Sequence, residues 1–176
     1  GAIALALLTE FPGAEVTAID ISSAALAVAA RNAERHGLAD RVRFVLSHWL
    51  ENVTGRYHLL VANPPYIPSG DIRGLEPEVA LWDPHAALDG GVDGLDAYRT
   101  ILADIERVLE PDGWAVFEVG YSQSEQVAEL AKERGLTVAR SDWPMLRDLG
   151  GTVRCVAVTT VGCNRKKGLG IVVQSV

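Results

Sequence analysis

The sequence has few of the residues that mark several large classes of protein. Two cysteines in 176 residues, Cys155 and Cys163, do not favour a disulfide framework and predict a reducing compartment, here the cytoplasm. The four histidines lack the spacing of metal ligands, so no metal site is predicted. The apolar stretch over residues 1–8 is too short to span a bilayer and has no basic leader, which predicts no membrane partner.

Positive charge is also scarce. The net charge is −7, and the Arg165–Lys167 run is the one short basic cluster. A nucleic-acid binder usually carries a basic patch or stripe, so we expect no direct nucleic-acid partner and favour a protein or small-molecule substrate. A hydrophobic content of 48% with 22% charged residues is typical of one globular domain.

Helical and strand-like segments alternate along the chain, and this alternation predicts an α/β fold with a mostly parallel sheet. We place the last two strands in an antiparallel pair. The predicted helices cover residues 2–9, 24–36, 95–109 and 125–134, and the predicted strands cover 16–20, 41–46, 57–62, 114–119, 136–139 and 152–160.

Serines and turn residues set several predicted boundaries. Ser22 or Ser23 is expected to cap the second helix, and Ser122 or Ser124 the fourth. A turn is predicted at residues 111–113, where proline, aspartate and glycine follow one another.

The segment Asn63, Pro64, Pro65 and Tyr66 is the strongest candidate for a functional site. It follows the apolar run over residues 57–62, and ligands of open α/β sheets bind beyond the carboxyl ends of the strands. Two prolines remove two backbone donors and leave a rigid edge of acceptors, which suits a substrate NH2 group. The alternative is a turn that merely ends the strand.

Two further strands end in candidate ligand residues at the same edge. Asp20 lies 19 residues after Gly1, the spacing at which a dinucleotide-type fold places a ribose-binding acid after a loop glycine. His48 and Trp49 follow the strand over 41–46, where an aromatic ring packs well on a planar ligand. The alternatives are a helix cap for Asp20, an arbitrary first residue for Gly1, a core-edge aromatic for Trp49 and a surface loop residue for His48.

Residues 67–94 form a long segment without clear periodicity. Long loops inside a compact domain are usually functional or disordered. Its apolar residues favour an ordered loop that packs over the site; they are Leu75, Val79, Leu81, Trp82 and Leu88.

Several motifs resemble one family. These are Asn63 to Tyr66, Leu75-Glu-Pro77, Ala86-Ala-Leu-Asp-Gly-Gly91 and Asp93-Gly-Leu95. Together they resemble the class I S-adenosylmethionine-dependent methyltransferases, and among these the HemK/PrmC glutamine methyltransferases that modify peptide chain release factors. The first six residues resemble the helix after that family's Gly-rich cofactor loop, and the resemblance runs from residue 1 to about residue 158.

The resemblance implies a Rossmann-like methyltransferase sheet, S-adenosyl-L-methionine as cofactor, and a glutamine side-chain amide of a release factor as substrate. It implies that Gly1, Asp20 and Trp49 bind the cofactor.

For the substrate, the resemblance implies that Asn63, Pro64, Pro65 and Tyr66 hold the amide, with Asn63 also next to the cofactor. His48 stands where the family usually has an acid.

Three other functions fit part of the pattern. The tetrapeptide beginning at Asn63 also occurs in methyltransferases that act on adenine or cytosine amino groups of nucleic acids. The residue at position 48 is compatible with a non-catalytic remnant of a methyltransferase. A nicotinamide dehydrogenase fits the spacing of Gly1 and Asp20, but it does not account for the tetrapeptide.

The resemblance also predicts how the chain is divided. We expect a catalytic domain over residues 1–160, which lacks the family's first strand and N-terminal helical domain, and a tail over residues 161–176. In a doubly wound sheet the first strand lies between those that end at Asp20 and Asn63. We hypothesise that residues 170–174, or a neighbouring chain, pair there; the alternative is a frayed terminus.

Overall fold

The structure, a computed structural model, describes residues 1–76, 78, 84–139, 147–148, 150–160 and 169–175. These residues form five α-helices and one seven-stranded sheet. The helices are α1 (Ala2–Glu10), α2 (Ser23–Arg35), α3 (His85–Leu88), α4 (Asp96–Val108) and α5 (Ser124–Glu133). The strands are β1 (Ala14–Asp20), β2 (Val42–Leu46), β3 (Tyr57–Asn63), β4 (Leu109–Glu118), β5 (Thr137–Val138), β6 (Cys155–Thr159) and β7 (Leu169–Ser175).

The sheet has the order β2-β1-β7-β3-β4-β6-β5. Strands β2, β1, β7, β3 and β4 pair in parallel, whereas β6 is antiparallel to both β4 and β5. The predicted α/β class and the antiparallel last pair are therefore confirmed, and the order places the ends of β1 and β3 on either side of β7.

Strand β7 occupies the position between β1 and β3. Ile171 lies opposite Val16 on one side and Leu59 on the other, and Val173 lies opposite Ala18 and Val61 in the same way. The hypothesis that the tail pairs here is confirmed, and the alternative of a frayed terminus is wrong. The backbone groups of both inner strand edges need partners, and β7 provides them.

Apolar side chains of the sheet alternate between two faces, as the period of a strand requires. One face packs against α1, with a core of Ala4, Leu8, Ala14, Val16, Ala18, Ile171 and Val173. The opposite face packs against α4 and α5 in a larger cluster that includes Ile101, Ile105, Phe117, Val127, Val158 and Val172. The side chains of β7 thus enter both cores.

Specific hydrogen bonds mark the start of α2 and the end of α1. Ser22 is the N-cap of α2, and its hydroxyl accepts a hydrogen bond from the Ala25 N–H at 3.2 Å, as predicted. At the end of α1 the Arg41 guanidinium donates to the Leu8 carbonyl at 2.9 Å and to the Pro12 carbonyl at 3.0 Å. A cation at this end stabilises the helix because the last carbonyls lack partners within it.

One local prediction is wrong. The N-cap of α5 is Gln123 rather than Ser122 or Ser124, and the Gln123 Oε1 accepts from the Gly120 N–H in the turn before the helix. The turn predicted at residues 111–113 falls within the bounds of β4, at the point where the register with β3 shifts between Tyr57 and Leu59 and residues 110–113 bulge out of the ladder. The division at residue 160 stays a prediction, although residues 169–175 lie in the middle of the sheet.

We predict that the amides of Ile171, Val172 and Val173 exchange with solvent as slowly as those of Leu60 and Val61. All three tail residues are at most 1% exposed, and burial of each side chain contributes about 1.5–3 kcal/mol. Together these contributions are comparable to the whole stability of a small domain. Hydrogen exchange on the 176-residue chain, read by NMR, measures this protection.

Fast exchange at all three amides would contradict the central position of β7. Protection that disappears on dilution would show instead that a strand from a neighbouring chain pairs there.

Candidate active site

The predicted site residues lie along the carboxyl edge of the sheet. Asp20 is the last residue of β1 and Asn63 the last of β3, and β7 runs between these two strands. In the paired register Gln174 lies opposite both Ile19 and Ala62. Trp49 follows the end of β2, the neighbour of β1. The structure therefore brings Asp20, Trp49 and Asn63 to one edge.

The tetrapeptide after β3 offers an acceptor. Pro64 and Pro65 are buried, whereas Asn63 and Tyr66 are only partly buried. The Asn63 side chain makes no hydrogen bond to another residue in the described part of the chain. Its amide is therefore free to bind a ligand.

The segment around α3 packs against the chain directly after Tyr66. The Ile67 N–H donates to the Leu88 carbonyl at 3.1 Å, and the Gly90 N–H donates back to the Ile67 carbonyl at 2.8 Å. The Ser69 N–H donates to the Gly91 carbonyl at 2.9 Å. The predicted ordered loop over the site is confirmed for these residues, whereas Val79, Leu81 and Trp82 lie outside the described residues.

The side chain of Gln123 binds the backbone of Tyr66. This residue was not identified from the sequence. Its side chain is 7% exposed, and Nε2 donates to the Tyr66 carbonyl at 2.9 Å and to the Gly94 carbonyl at 3.3 Å. Its Oε1 accepts from the Gly120 N–H at 3.1 Å. One amide thus ties together the ends of β3 and β4 and the loop before α4. A glutamine next to two serines at a helix start gives no signal of these distant partners.

Gly94 is the close-packed neighbour of this amide. Its φ of +74° lies in the left-handed region, and a Cβ there would overlap the Tyr66 carbonyl oxygen and the Gln123 Nε2. Any side chain at position 94 would therefore displace the Tyr66 backbone. This contact explains why the Asp93-Gly-Leu95 motif has glycine at its centre.

Asp89 orders the loop by accepting hydrogen bonds. The Ser69 hydroxyl donates to its Oδ1 at 2.6 Å, and the Gly91 N–H donates to the same atom at 2.9 Å. These two hydrogen bonds lower the pKa of Asp89 from its usual value, and the bond from Ser69 has the larger effect. Asp89 is therefore an ionised acceptor within the loop.

Asp20 is a buried carboxylate at the turn between β1 and α2. The residue is 4% exposed, and its Oδ1 accepts a hydrogen bond from the Ser22 N–H at 2.8 Å, in the turn that begins α2. The alternative of a helix cap is wrong, because the N-cap of α2 is Ser22 and Asp20 accepts from the N–H of that cap residue. Because no second hydrogen bond to the carboxylate occurs among the described residues, its other oxygen can accept from a ligand hydroxyl.

Trp49 has an unusual backbone for a bulky residue, with φ at +49°. Such conformations cost free energy and cluster at functional sites. Its ring packs partly against the larger core and meets His48 edge-on, with centroids 5.8 Å apart. The His48 Nδ1 lies 3.0 Å from the Glu51 Oε1, so His48 has a local partner.

Gly1 precedes α1 and lies against α2. A Cβ at Gly1 would lie 2.6 Å from the Ala29 Cβ, so glycine is required there for the two helices to approach. Its predicted contact with a cofactor stays a prediction, as do the binding roles of Asp20, Trp49, Asn63, Pro64, Pro65 and Tyr66.

A cleft of about 700 Å³ opens at this edge. Its lining includes side chains from both sides of β7: Ile21, His48, Trp49, Pro65, His85, Ala86, Asp89, Asp96, Thr100 and Gln174. Within the described ranges no group of His, Cys, Asp or Glu side chains is placed to hold a metal ion. Nor is any described helix long and apolar enough to cross a membrane.

The size of the cleft suits the cofactor that the motifs imply, and of the predicted site residues Trp49 and Pro65 line it, whereas Gly1, Asp20 and Asn63 do not. Small-molecule sites typically enclose about 300–1,000 Å³ and combine apolar walls with a few polar groups. Here the walls include Trp49 and Pro65, and Gln174 contributes a buried Oε1 that has no hydrogen-bond partner among the described residues. The tail strand was not assigned to the site from the sequence.

The sequence is similar to release factor glutamine methyltransferases. A family model described as "Methyltransferase small domain" matches residues 1–74. A release factor glutamine methyltransferase of Rhodospirillum rubrum is 46% identical over 156 residues, which are 89% of this chain and 47% of that protein. Another from Cereibacter sphaeroides is 46% identical over 157 residues, 89% of this chain and 55% of that protein. The resemblance predicted from the motifs is confirmed, and the chain spans about half the length of these relatives.

The fold is also that of solved methyltransferases. A methyltransferase of Pyrococcus furiosus superposes with a TM-score of 0.64 at 18% identity, over 92% of this chain and 70% of that one. At this identity the likeness shows the fold alone, which is the Rossmann-like fold of class I methyltransferases.

We predict that Gln123→Glu lowers the free energy of unfolding by about 1–3 kcal/mol. The substitution keeps the acceptor for the Gly120 N–H but removes both donors to the Tyr66 and Gly94 carbonyls, which are then left facing a carboxylate. Urea denaturation at neutral pH measures the change.

Gln126→Glu is the matched control, because it makes the same change of charge at an exposed position of the same helix. We expect it to change stability by less than about 0.5 kcal/mol. Equal effects of the two substitutions would show that the Gln123 contacts do not stabilise the loop.

Proposed function

We propose that the protein containing this chain, a relative of the release factor glutamine methyltransferases, transfers a methyl group from S-adenosylmethionine to a glutamine side-chain amide of a release factor. The observation that carries the proposal is the 46% identity to such enzymes over 89% of the chain, a span that includes the tetrapeptide at Asn63.

The chemical task is to make an amide nitrogen attack a methyl group. Its lone pair is delocalised into the carbonyl, so the nitrogen is a poor nucleophile. When bound, the cofactor supplies a methyl group on a positively charged sulfur, where an electron pair readily displaces it. The protein must therefore orient the nitrogen and stabilise the positive charge that grows on it.

Asn63 and the Pro64 carbonyl are the acceptors in this proposal. The Asn63 amide has no hydrogen bond to another described residue, so its oxygen can accept from one substrate N–H while the Pro64 carbonyl accepts from the other. Both interactions strengthen as the nitrogen becomes positive. The two prolines keep the loop rigid, so little reorganisation is needed during the reaction.

Tyr66 and its surroundings complete the substrate position. Its partly exposed ring packs on the flat face of the amide, and Gln123 fixes its backbone. Burial raises the pKa of the nearby Tyr98, whose hydroxyl donates to the Glu118 carbonyl at 2.7 Å, so Tyr98 is a neutral structural residue. No side-chain base is required, since the proton can leave after the methyl group has moved.

The charge of the chain favours a protein substrate. A net charge of −7 without a basic stripe opposes binding to a nucleic-acid backbone. A release factor acts in the cytoplasm, which agrees with the scarcity of cysteine.

We predict that the protein encoded by the complete reading frame methylates release factor and neither DNA nor RNA. Each substrate is incubated separately with S-adenosylmethionine carrying a labelled methyl group, and mass spectrometry locates the label on a glutamine. Methylation of nucleic acid alone would contradict the proposal. The 176-residue chain is assayed in parallel, so that its own activity is measured.

We predict that Asn63→Ala lowers turnover by about 10²-fold or more and changes cofactor binding little, because the lost contact is made mainly in the transition state. Asn63→Asp retains an acceptor oxygen, so its loss of turnover should be smaller. Steady-state kinetics and calorimetric binding separate the two effects.

Asn32→Ala is the control for these variants, since Asn32 is exposed on α2 away from the tetrapeptide. Turnover of Asn63→Ala within a factor of two of this control would rule out a role for Asn63 in the reaction.

A further inference from the structure

The end of β7 lies in the middle of the carboxyl edge. Going across the sheet, Trp49 follows β2, Asp20 ends β1, Gln174 and Ser175 end β7, and Asn63 ends β3. The resemblance to the family implies that Trp49 lies beside the adenine and that Asp20 binds the ribose, and in the proposed function Asn63 holds the nitrogen that receives the methyl group. The sulfur of the cofactor carries the ribose, the transferred methyl group and the methionine chain, so this sulfur and the chain that branches from it must lie near the end of β7.

Gln174 is unlike the rest of its strand. The residues before it, Ile171 to Val173, are apolar and buried, as a central strand requires. Gln174 is just as buried, at 4% exposed, yet its Oε1 has no hydrogen-bond donor among the described residues. Buried polar atoms without a partner are rare, and each needs an explanation. This one lines the cleft.

We propose that Gln174 completes the cofactor site by accepting a hydrogen bond from the ammonium group of the methionine part of S-adenosylmethionine. The inference rests on the proposed function. The methionine part carries one donor, the ammonium group, and one acceptor, the carboxylate, so the unpartnered oxygen of Gln174 selects the ammonium group. A hydrogen bond from a charged donor is stronger than one between neutral groups.

A consequence follows for the tail. Gln174 reaches the ligand only when β7 is paired between β1 and β3, so the ligand binds the docked strand in preference to the undocked one. At a ligand concentration of 100 times the dissociation constant, this preference shifts the docking equilibrium by about 100-fold. Cofactor binding and docking of the C-terminal strand are therefore coupled.

The test compares two ligands on the 176-residue chain. S-adenosylhomocysteine contains the amino-acid part, whereas 5′-methylthioadenosine shares the adenine, ribose and sulfur but lacks it. We expect Gln174→Leu to weaken binding of S-adenosylhomocysteine by about 10-fold or more in calorimetry, and to change binding of methylthioadenosine by less than about 2-fold.

Stability is the second measurement on the same variant. Without ligand, Gln174→Leu should be at least as stable as the unchanged chain, because leucine replaces a buried acceptor that has no partner. Gln126→Leu, at an exposed position of α5, is the control and should alter neither affinity. Gln174→Glu keeps an acceptor oxygen, so it should bind S-adenosylhomocysteine better than Gln174→Leu does.

The outcomes separate this inference from the proposed function. If the unchanged chain binds neither ligand, the proposed cofactor site itself is wrong. If both ligands bind but Gln174→Leu weakens them equally, or leaves S-adenosylhomocysteine unaffected, the role of Gln174 is overturned. Amide exchange at Ile171 to Val173 that S-adenosylhomocysteine does not slow would contradict the coupling to the tail.

Discussion

The pairing of β7 with β1 and β3 is the constraint on which the rest of the structure depends. An open gap there would leave the inner edges of both strands without hydrogen-bond partners, and buried backbone groups are almost always paired. Ile171 and Val172 also enter the cores on opposite faces of the sheet. The last described strand of the chain is therefore its most central one, and it sets the separation of Asp20 from Asn63 at the candidate site.

The backbone position of the tetrapeptide over residues 63–66 is fixed by contacts with Gln123 and Gly94. Gln123 connects the backbones of Tyr66, Gly94 and Gly120, and glycine at position 94 allows the approach. This network leaves the Asn63 side chain without a partner among the described residues, which is the condition for binding a substrate. A rigid support with one free acceptor suits a reaction in which orientation supplies much of the catalysis.

Periodicity and motifs predicted the element order because helices and strands here follow strong local patterns. They also brought Asp20, Trp49 and Asn63 to one edge, since the carboxyl ends of parallel strands share it. The role of Gln123 depends on Tyr66, which is 57 residues away in the chain, and that of Gln174 on the lack of a donor for its Oε1 among the described residues; local sequence carries neither signal. The turn residues at 111–113 marked where β4 bulges, but the continuation of the strand on both sides of the bulge depends on its pairing with β3.

The central claim is that a cofactor binds across the ends of β1, β7 and β3. The most direct measurement is a titration of the isotope-labelled 176-residue chain with S-adenosylhomocysteine, followed by amide chemical shifts. The account predicts shifts at Ile21, Trp49 and Gln174, with little change in the second cleft of about 420 Å³ at the opposite edge, which Arg43 and Gly55 line. Shifts confined to that opposite edge, or none at all, would contradict it.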